Sequence, residues 1–156
     1  MDVFVEVPVG SKIKYEYDHE LKAIRLDRVL HNTHAYPCNY GFVPNTMTPD
    51  SDPLDIFILS DYKLLPGCVV KVKILGGIKT TDEKGLDHKL ISILHDKCDP
   101  NSKYINDITD LNNSTIDNLI YFLQHYKDGE EGKFVEVDKT PYNKTTALEI
   151  IEKYTV

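Results

Sequence analysis

Closely spaced carboxylates are the feature of this sequence with the most evident chemistry. Three aspartates occur within residues 50–55, and a second acidic group occurs within residues 82–87. Carboxylates this close repel one another unless protons or cations lie between them. Oxygen ligands of this kind suit hard divalent ions, so the sequence predicts a metal site. Its candidate ligands are Asp50, Asp52 and Asp55 in the first group and Asp82, Glu83 and Asp87 in the second.

The spacing indicates how these side chains could converge. Asp50 and Asp52 would share one side of an extended backbone, and a bend at Pro53 would bring Asp55 back toward them. In the second group, the turn around Gly85 lets the acidic residues on both sides point into one space. Asp87 and Lys89 would share a strand face, which puts a cation beside a carboxylate. That pairing suits a phosphate bound next to a metal.

Two other uses of the acidic run fit poorly. A helix-loop-helix calcium site needs Gly at the sixth loop position and Glu at the twelfth, where this chain has Asp55 and Asp61. A covalent aspartyl phosphate normally forms at the end of a buried strand, whereas residues 45–49 are a polar loop. The pair His31 and His34 is a weak zinc signal, because no further nitrogen or sulfur ligand lies nearby in sequence.

Composition limits the classes of protein to consider. The chain has 156 residues, a formal net charge of −7 and 41% hydrophobic residues, which fits one globular domain, 1–156. The acidic balance disfavours a nucleic-acid partner, and no apolar run is long enough for a membrane helix. The three cysteines form no CxxC pair, which argues against a zinc ribbon and a disulfide framework. The N-terminus has no signal-peptide pattern, so we expect a cytoplasmic location.

The elements that must position these residues are strands first and helices last. Alternating apolar residues predict strands near 3–7, 13–17 and 23–30, followed by a long ordered loop over 31–50. Further strands are predicted at 54–59, 68–79, 88–95 and 133–137. A helix capped at Asn113 or Ser114 should end before Gly129, and a second should cover 143–154 with Ala147, Leu148, Ile151 and Tyr154 inward. This order predicts a mainly β fold with α (α+β), a small twisted OB-like β-barrel with two flanking C-terminal helices.

Several blocks together resemble family I soluble inorganic pyrophosphatase. The run Asp50-Ser51-Asp52-Pro53-Leu54-Asp55 meets the family signature D-[SGDN]-D-[PE]-hydrophobic-D. Blocks at 13–16, 27–28, 36–41, 81–90 and 125–128 occur in the family's order, so the resemblance covers nearly the whole chain. It implies Mg²⁺-dependent hydrolysis of pyrophosphate to two orthophosphates, with Mn²⁺ or Zn²⁺ as possible substitutes and Ca²⁺ as an inhibitor. It also implies a homo-oligomer, with a hexamer favoured.

The resemblance also implies roles for individual residues. Asp52 is similar to the general base that accepts a proton from the attacking water. The implied metal ligands are Asp50, Asp55, Asp87 and Asp82, with Glu16 reaching metal through water. The implied phosphate-binding residues are Lys14, Arg28, Tyr40, Lys89, Tyr126 and Lys127, and Tyr36 resembles a supporting residue. Glu6 receives no role, because the segment between it and Lys14 is one residue shorter than is usual in the family.

Three alternatives remain on the sequence alone. A Mg²⁺-dependent phosphohydrolase acting on nucleotides would need a base-binding platform. A non-enzymatic OB-like module for single strands would need a basic, aromatic groove. A metal-buffering protein would have no need for Lys14, Arg28 and Lys127 beside the carboxylates.

Overall fold

The computed structural model describes all 156 residues, Met1–Val156. Its strands and helices follow one another in the predicted order, with strands first and helices last. The strands are β1 (Asp2–Val7), β2 (Ile13–Asp18), β3 (Ala23–Val29), β4 (Asn39–Phe42), β5 (Asp55–Leu59), β6 (Val69–Asp82), β7 (Gly85–Leu94), β8 (Val135–Val137) and β9 (Tyr142–Asn143). The helices are α1 (Asn113–His125) and α2 (Lys144–Tyr154), preceded by two 3-10 turns at Pro100–Ser102 and Ile108–Asp110.

The larger sheet closes on itself. Its strand order is β1-β4-β5-β7-β6-β8, and β6 also pairs with β1, so five strands form a ring. All pairs in the ring are antiparallel except β5 with β7. A register shift in β6 between Ile74 and Gly76 lets this long strand bend. The predicted mainly β fold with two flanking helices is confirmed, and the closed pairing agrees with an OB-like twist.

The two helices pack on opposite faces of this sheet. On β5, Phe57 belongs to the apolar cluster that contains the α1 residues Leu119 and Leu123. Its neighbours Ile56 and Ile58 belong to the cluster that contains α2. Successive side chains of a strand point to opposite faces, so β5 separates the two clusters. None of the helices has the length and apolar character needed to cross a membrane.

The first turn of α2 has a side-chain cap, whereas that of α1 has none. Asn143 accepts a hydrogen bond from the Thr146 amide at 3.0 Å, so it caps α2 at its predicted start. The N-cap of α1 is Asn112 instead of Asn113 or Ser114, and its side chain makes no capping bond. Leu148, predicted to face inward, is 41% exposed, whereas Ala147 and Ile151 are buried and Tyr154 packs against the same apolar cluster.

The predicted loop over 31–50 contains β4, which the sequence reading missed. This strand has only four residues, all of them buried, so it shows no alternation of polar and apolar side chains. Gly41 is required there, since a Cβ at this position would lie 1.8 Å from the carbonyl oxygen of Phe4 in β1. The strand therefore depends on a close backbone approach that the sequence pattern does not display.

Candidate active site

One polar cavity of about 280 Å³ collects residues from distant parts of the chain. Strands β2, β3, β4, β5 and β7, the loop before β5 and the end of α1 all contribute to its walls. The walls include every residue for which a catalytic, metal or phosphate role was predicted, namely Glu16, Asp50, Asp52, Asp55, Asp82, Asp87, Lys14, Arg28, Tyr40, Lys89, Tyr126 and Lys127.

A tight turn holds Asp50 and Asp52. Ser51 between them has φ 69°, so the extended geometry considered from the sequence does not occur. The Thr48 hydroxyl lies within hydrogen-bond distance of both Asp50 Oδ1 and the Asp52 carbonyl oxygen, the latter at 2.9 Å. The Asp52 amide in turn lies 3.3 Å from Asp50 Oδ1. Thus the turn, and not an extended backbone, directs both carboxylates at the cavity.

The pKa of the Asp52 carboxyl is raised, although the residue is largely exposed. Partial burial raises its pKa above the ordinary value, and the negative charge of Asp50 raises the pKa further. Lys84 acts in the opposite direction. A carboxylate with a raised pKa is a stronger base, which suits proton transfer near neutral pH.

Lys89 lies between two carboxylates at the floor of the cavity. The parallel pairing of β5 with β7 puts Asp55 opposite Lys89, and Asp87 lies two residues earlier on the same strand face. The Lys89 amine is 2.5 Å from Asp55 Oδ2 and 2.8 Å from Asp87 Oδ2, and it donates to the Tyr40 hydroxyl at 2.9 Å. Burial alone would lower the pKa of this amine, yet the Asp55 and Asp87 charges hold it well above its ordinary value. Lys89 is therefore a buried, permanent cation.

The β2–β3 hairpin supplies cations to another wall. Lys14 and Arg28 are cross-strand partners, so their side chains lie side by side. The Lys14 amine is 2.9 Å from Glu16 Oε1. The Arg28 Nε is 3.1 Å from Glu130 Oε1, but the two groups form an ion pair without an aligned hydrogen bond. That buried N–H remains available to another acceptor.

The segment after α1 supplies Tyr126 and Lys127. The Lys127 amine lies 3.2 Å from Asp82 Oδ2 and 3.4 Å from Glu83 Oε1, which joins this segment to the end of β6. Burial raises the pKa of the Tyr126 hydroxyl, so it remains a hydrogen-bond donor. Tyr36 does not line the cavity. It packs against Tyr40 with ring centroids 5.4 Å apart, a position that suits its predicted supporting role.

The cavity also contains residues to which the family resemblance gave no role. Glu6 is buried, accepts a hydrogen bond from the Tyr17 amide at 2.7 Å, and has a pKa raised by burial to about 8. Glu83 is partly buried, yet its hydrogen bonds and the Lys133 and Lys127 amines hold its pKa at about 2. Glu83 lies inside the block at 81–90 that carries the family resemblance, whereas no local pattern marks Lys133. Only the folded chain brings Lys133 to the cavity.

The donor set of the cavity fits hard divalent cations. Asp50, Asp52, Asp55, Asp82 and Asp87 offer only oxygen atoms, the ligands that Mg²⁺ prefers. Burial and neighbouring negative charge raise the pKa of Asp87, a sign of carboxylates that lack sufficient counter-charge. The cavity thus combines carboxylates able to hold cations with Lys and Arg side chains able to hold phosphate oxygens.

Comparisons with known proteins identify the family of this chain. A family model described as inorganic pyrophosphatase matches residues 3–156. The inorganic pyrophosphatase of Helicobacter pylori is 45% identical over 151 residues, covering 97% of this chain and 87% of the relative. That of Sulfolobus acidocaldarius is 44% identical over 137 residues, covering 88% and 79%.

Solved structures give the same result. A Helicobacter pylori inorganic pyrophosphatase superposes with a TM-score of 0.96 at 43% identity, covering 99% of this chain and 91% of the other. The Thermus thermophilus inorganic pyrophosphatase superposes with a TM-score of 0.94 at 40% identity, covering 99% and 88%. Fold and site together define a hydrolase of phosphoric anhydride bonds. The chain belongs to the inorganic pyrophosphatase family, and its enzyme class is inorganic diphosphatase.

Proposed function

We propose that this protein hydrolyses inorganic pyrophosphate to two orthophosphates in a Mg²⁺-dependent reaction, with Asp52 as the general base. The observation that carries the proposal is the convergence of acidic and cationic side chains on one cavity of about 280 Å³. A carboxylate cluster alone would suit metal storage. The added cations Lys14, Arg28 and Lys127 suit a substrate with several negative phosphate oxygens.

The proposed metal ligands are the carboxylates of the cavity. Asp50, Asp55 and Asp87 would hold the tightest ion, with Asp55 shared with a second ion. Asp82, together with Asp87, would hold a further ion that arrives with substrate, and Glu16 would act through water. When bound, Mg²⁺ neutralises these carboxylates and lowers the pKa of water, which supplies a nucleophile near neutral pH. Mn²⁺ or Zn²⁺ would be substitutes.

The chain's own residues would do the remaining work. Asp52 accepts the proton of the attacking water, helped by its raised pKa. Arg28, Tyr126 and Lys127 hold the departing phosphate and neutralise the charge that develops on it. Lys14, Tyr40 and Lys89 hold the other phosphate. Phosphoryl transfer requires little covalent participation by the protein, so orientation and electrostatic stabilisation supply most of the rate.

Orthophosphate release from pyrophosphate, measured across a Mg²⁺ titration, tests this function. Asp52→Asn removes the proton acceptor but keeps the shape, so we expect turnover to fall by about 10²–10⁴-fold. The exposed Asp61→Asn variant is the matched control and should behave as wild type. ATP in place of pyrophosphate tests the nucleotide alternative and should be a poor substrate. Turnover near the wild-type rate in Asp52→Asn would refute the base assignment.

Calcium should inhibit the reaction. Ca²⁺ takes longer and more variable bonds to oxygen than Mg²⁺ does, so it would fill the same carboxylates without the same alignment of substrate. We expect the rate at fixed Mg²⁺ to fall as Ca²⁺ is added and to recover when Mg²⁺ is raised. Full activity with Ca²⁺ as the sole divalent ion would contradict this expectation.

The remaining expectations concern the whole protein. We propose that residues 1–156 form a single domain, which the family match over 3–156 supports. On the resemblance to its family, we further propose a homo-oligomer, with a hexamer favoured, in the cytoplasm. Size-exclusion chromatography with light scattering would give the assembly state directly.

A further inference from the structure

A second cluster of metal-binding side chains lies outside the carboxylate cavity. His34, from the loop after β3, meets His125 and Asp128 at the end of α1, and one donor atom from each lies within 4.8 Å of the others. In the single chain the two histidines are half-buried and Asp128 is exposed, so the cluster lies at its surface. None of the three lines the carboxylate cavity.

We propose that His34, His125 and Asp128 form a binding site for a borderline divalent transition-metal ion such as Zn²⁺, Ni²⁺ or Co²⁺. Two imidazole nitrogens and one carboxylate oxygen are a ligand set that suits these ions and not Mg²⁺. With three protein ligands, water would complete the coordination. The site differs in its chemistry from the all-oxygen cavity.

The distances fit one ion. A tetrahedral Zn²⁺ with bonds of about 2.0–2.2 Å has its donors about 3.4 Å apart. His125 Nδ1 and Asp128 Oδ2 already lie 2.9 Å apart. The His34 ring stacks beside the His125 ring, with centroids 5.7 Å apart and planes 26° apart. Small side-chain rotations of His34 would therefore complete the set.

The backbone that carries these ligands is held in place by Asn32. Its side-chain amide nitrogen, with two N–H donors, lies within hydrogen-bond distance of the carbonyl oxygens of His125, Tyr126 and Asp128, at 3.3, 3.1 and 3.0 Å. Its Oδ1 accepts from the His34 amide at 2.9 Å. One side chain thus fixes the loop to the end of α1. The ligands are pre-organised before any ion binds, which reduces the entropic cost of binding.

The position in the helix also favours a cation. His125 is the last residue of α1, and the helix dipole gives this end a partial negative charge. Two residues that line the carboxylate cavity, Tyr126 and Lys127, lie between His125 and Asp128 in the sequence. An ion bound by His125 and Asp128 would therefore restrict the motion of the segment that carries Tyr126 and Lys127.

Paramagnetic Co²⁺ provides the test, applied to tag-free, metal-stripped protein in excess Mg²⁺ so that the carboxylate cavity is occupied. We expect Co²⁺ to broaden the ring NMR signals of His34 and His125 and to leave that of His95 sharp. His19 lines the carboxylate cavity, so broadening of its signal reports Co²⁺ that binds in that cavity. Broadening of His19 with sharp His34 and His125 signals would overturn the proposal.

Calorimetric titration with Zn²⁺ gives an independent measure. The double substitution His34→Gln with His125→Gln should remove one equivalent of bound Zn²⁺, and His95→Gln should remove none. Asp128→Asn should weaken this site by at least about tenfold, the loss typical even for a residue that only supports a ligand. Equal Zn²⁺ stoichiometry in wild type and double variant would overturn the proposal.

Discussion

At the scale of single residues, the aspartates of the cavity have different surroundings although their sequence motif makes them look alike. Asp52 lies in an exposed turn next to Asp50, and partial burial and that charge raise its pKa. Asp55 lies against the buried Lys89 amine, 2.5 Å away. The surroundings of Asp52 thus favour uptake of a proton, whereas Asp55 is paired with a fixed cation. This difference supports proton transfer at Asp52 and ion binding at Asp55.

Asp55→Asn should therefore affect metal and substrate turnover together. The amide removes a negative charge and an anionic ligand, so we expect Mg²⁺ affinity to fall by about tenfold or more and activity to fall with it. Folding should survive, because Lys89 keeps Asp87 and the Tyr40 hydroxyl as partners. Isothermal titration with Mg²⁺ and the phosphate-release assay measure both effects. The exposed Asp117→Asn is the control, and unchanged Mg²⁺ dependence in Asp55→Asn would remove the ligand role.

Short motifs located most of the cavity residues, and the exceptions have a physical cause. Asp50, Asp52 and Asp55 share one run, so local spacing is enough to find them. Glu6 and Lys133 carry no local pattern and reach the cavity only through the folding of β1 and of the loop before β8. The sequence pairs His34 only with His31, because its proposed partner ligands His125 and Asp128 lie far along the chain, at and just after the end of α1. Single-sequence patterns report neighbours along the chain and not neighbours across it.

At the scale of elements, close backbone contact between β1 and β4 fixes the strand that carries Tyr40. Gly41 pairs with Val5, and its missing side chain leaves space for the Phe4 carbonyl group. β4 also pairs with β5, so this contact helps to place Asp55 at the cavity floor. The positions of Tyr40 and Asp55 in the cavity thus depend on a residue that has no side chain.

Gly41→Ala should be strongly destabilising. Its Cβ would lie 1.8 Å from a backbone oxygen, which cannot move aside as a flexible side chain can. We expect a loss of at least about 2 kcal/mol in the free energy of unfolding. Urea denaturation followed by circular dichroism measures it. Gly132→Asn is the control, because nothing lies within 4 Å of that position and Asn tolerates its positive φ of 74°. Equal stability of Gly41→Ala and wild type would contradict the proposed contact.

At the scale of the whole molecule, the buried Glu6 links stability to pH. Burial raises its pKa from 4.5 to about 8 in the folded protein. The folded chain therefore keeps a proton that the unfolded chain loses between these two values. This contribution to stability is fully present below about pH 4.5 and is lost as pH rises to about 8.

Glu6→Gln should remove this dependence in the metal-free protein. The amide that replaces the carboxyl group cannot ionise, yet its oxygen can still accept the hydrogen bond from the Tyr17 amide. Relative to wild type, we expect the variant to gain stability between about pH 5 and 8, by up to about 1.4 kcal/mol for each pH unit. Denaturation curves at several pH values measure the difference. The exposed Glu149→Gln, on α2, should follow the wild-type curve, and parallel curves for Glu6→Gln and wild type would contradict the linkage.

The pairing of β6 on both sides has a consequence for association between chains. One side of β6 bonds to β7, and the other is shared by β1, β9 and β8, so few of its backbone groups are free for a neighbouring molecule. Among the longer strands, β3 belongs to a separate hairpin with β2 as its only partner. Its sequence carries Arg25, Asp27 and Arg28, and charged side chains at a sheet edge oppose the addition of a foreign strand. The architecture that builds the cavity therefore also protects the native chain against cross-β aggregation.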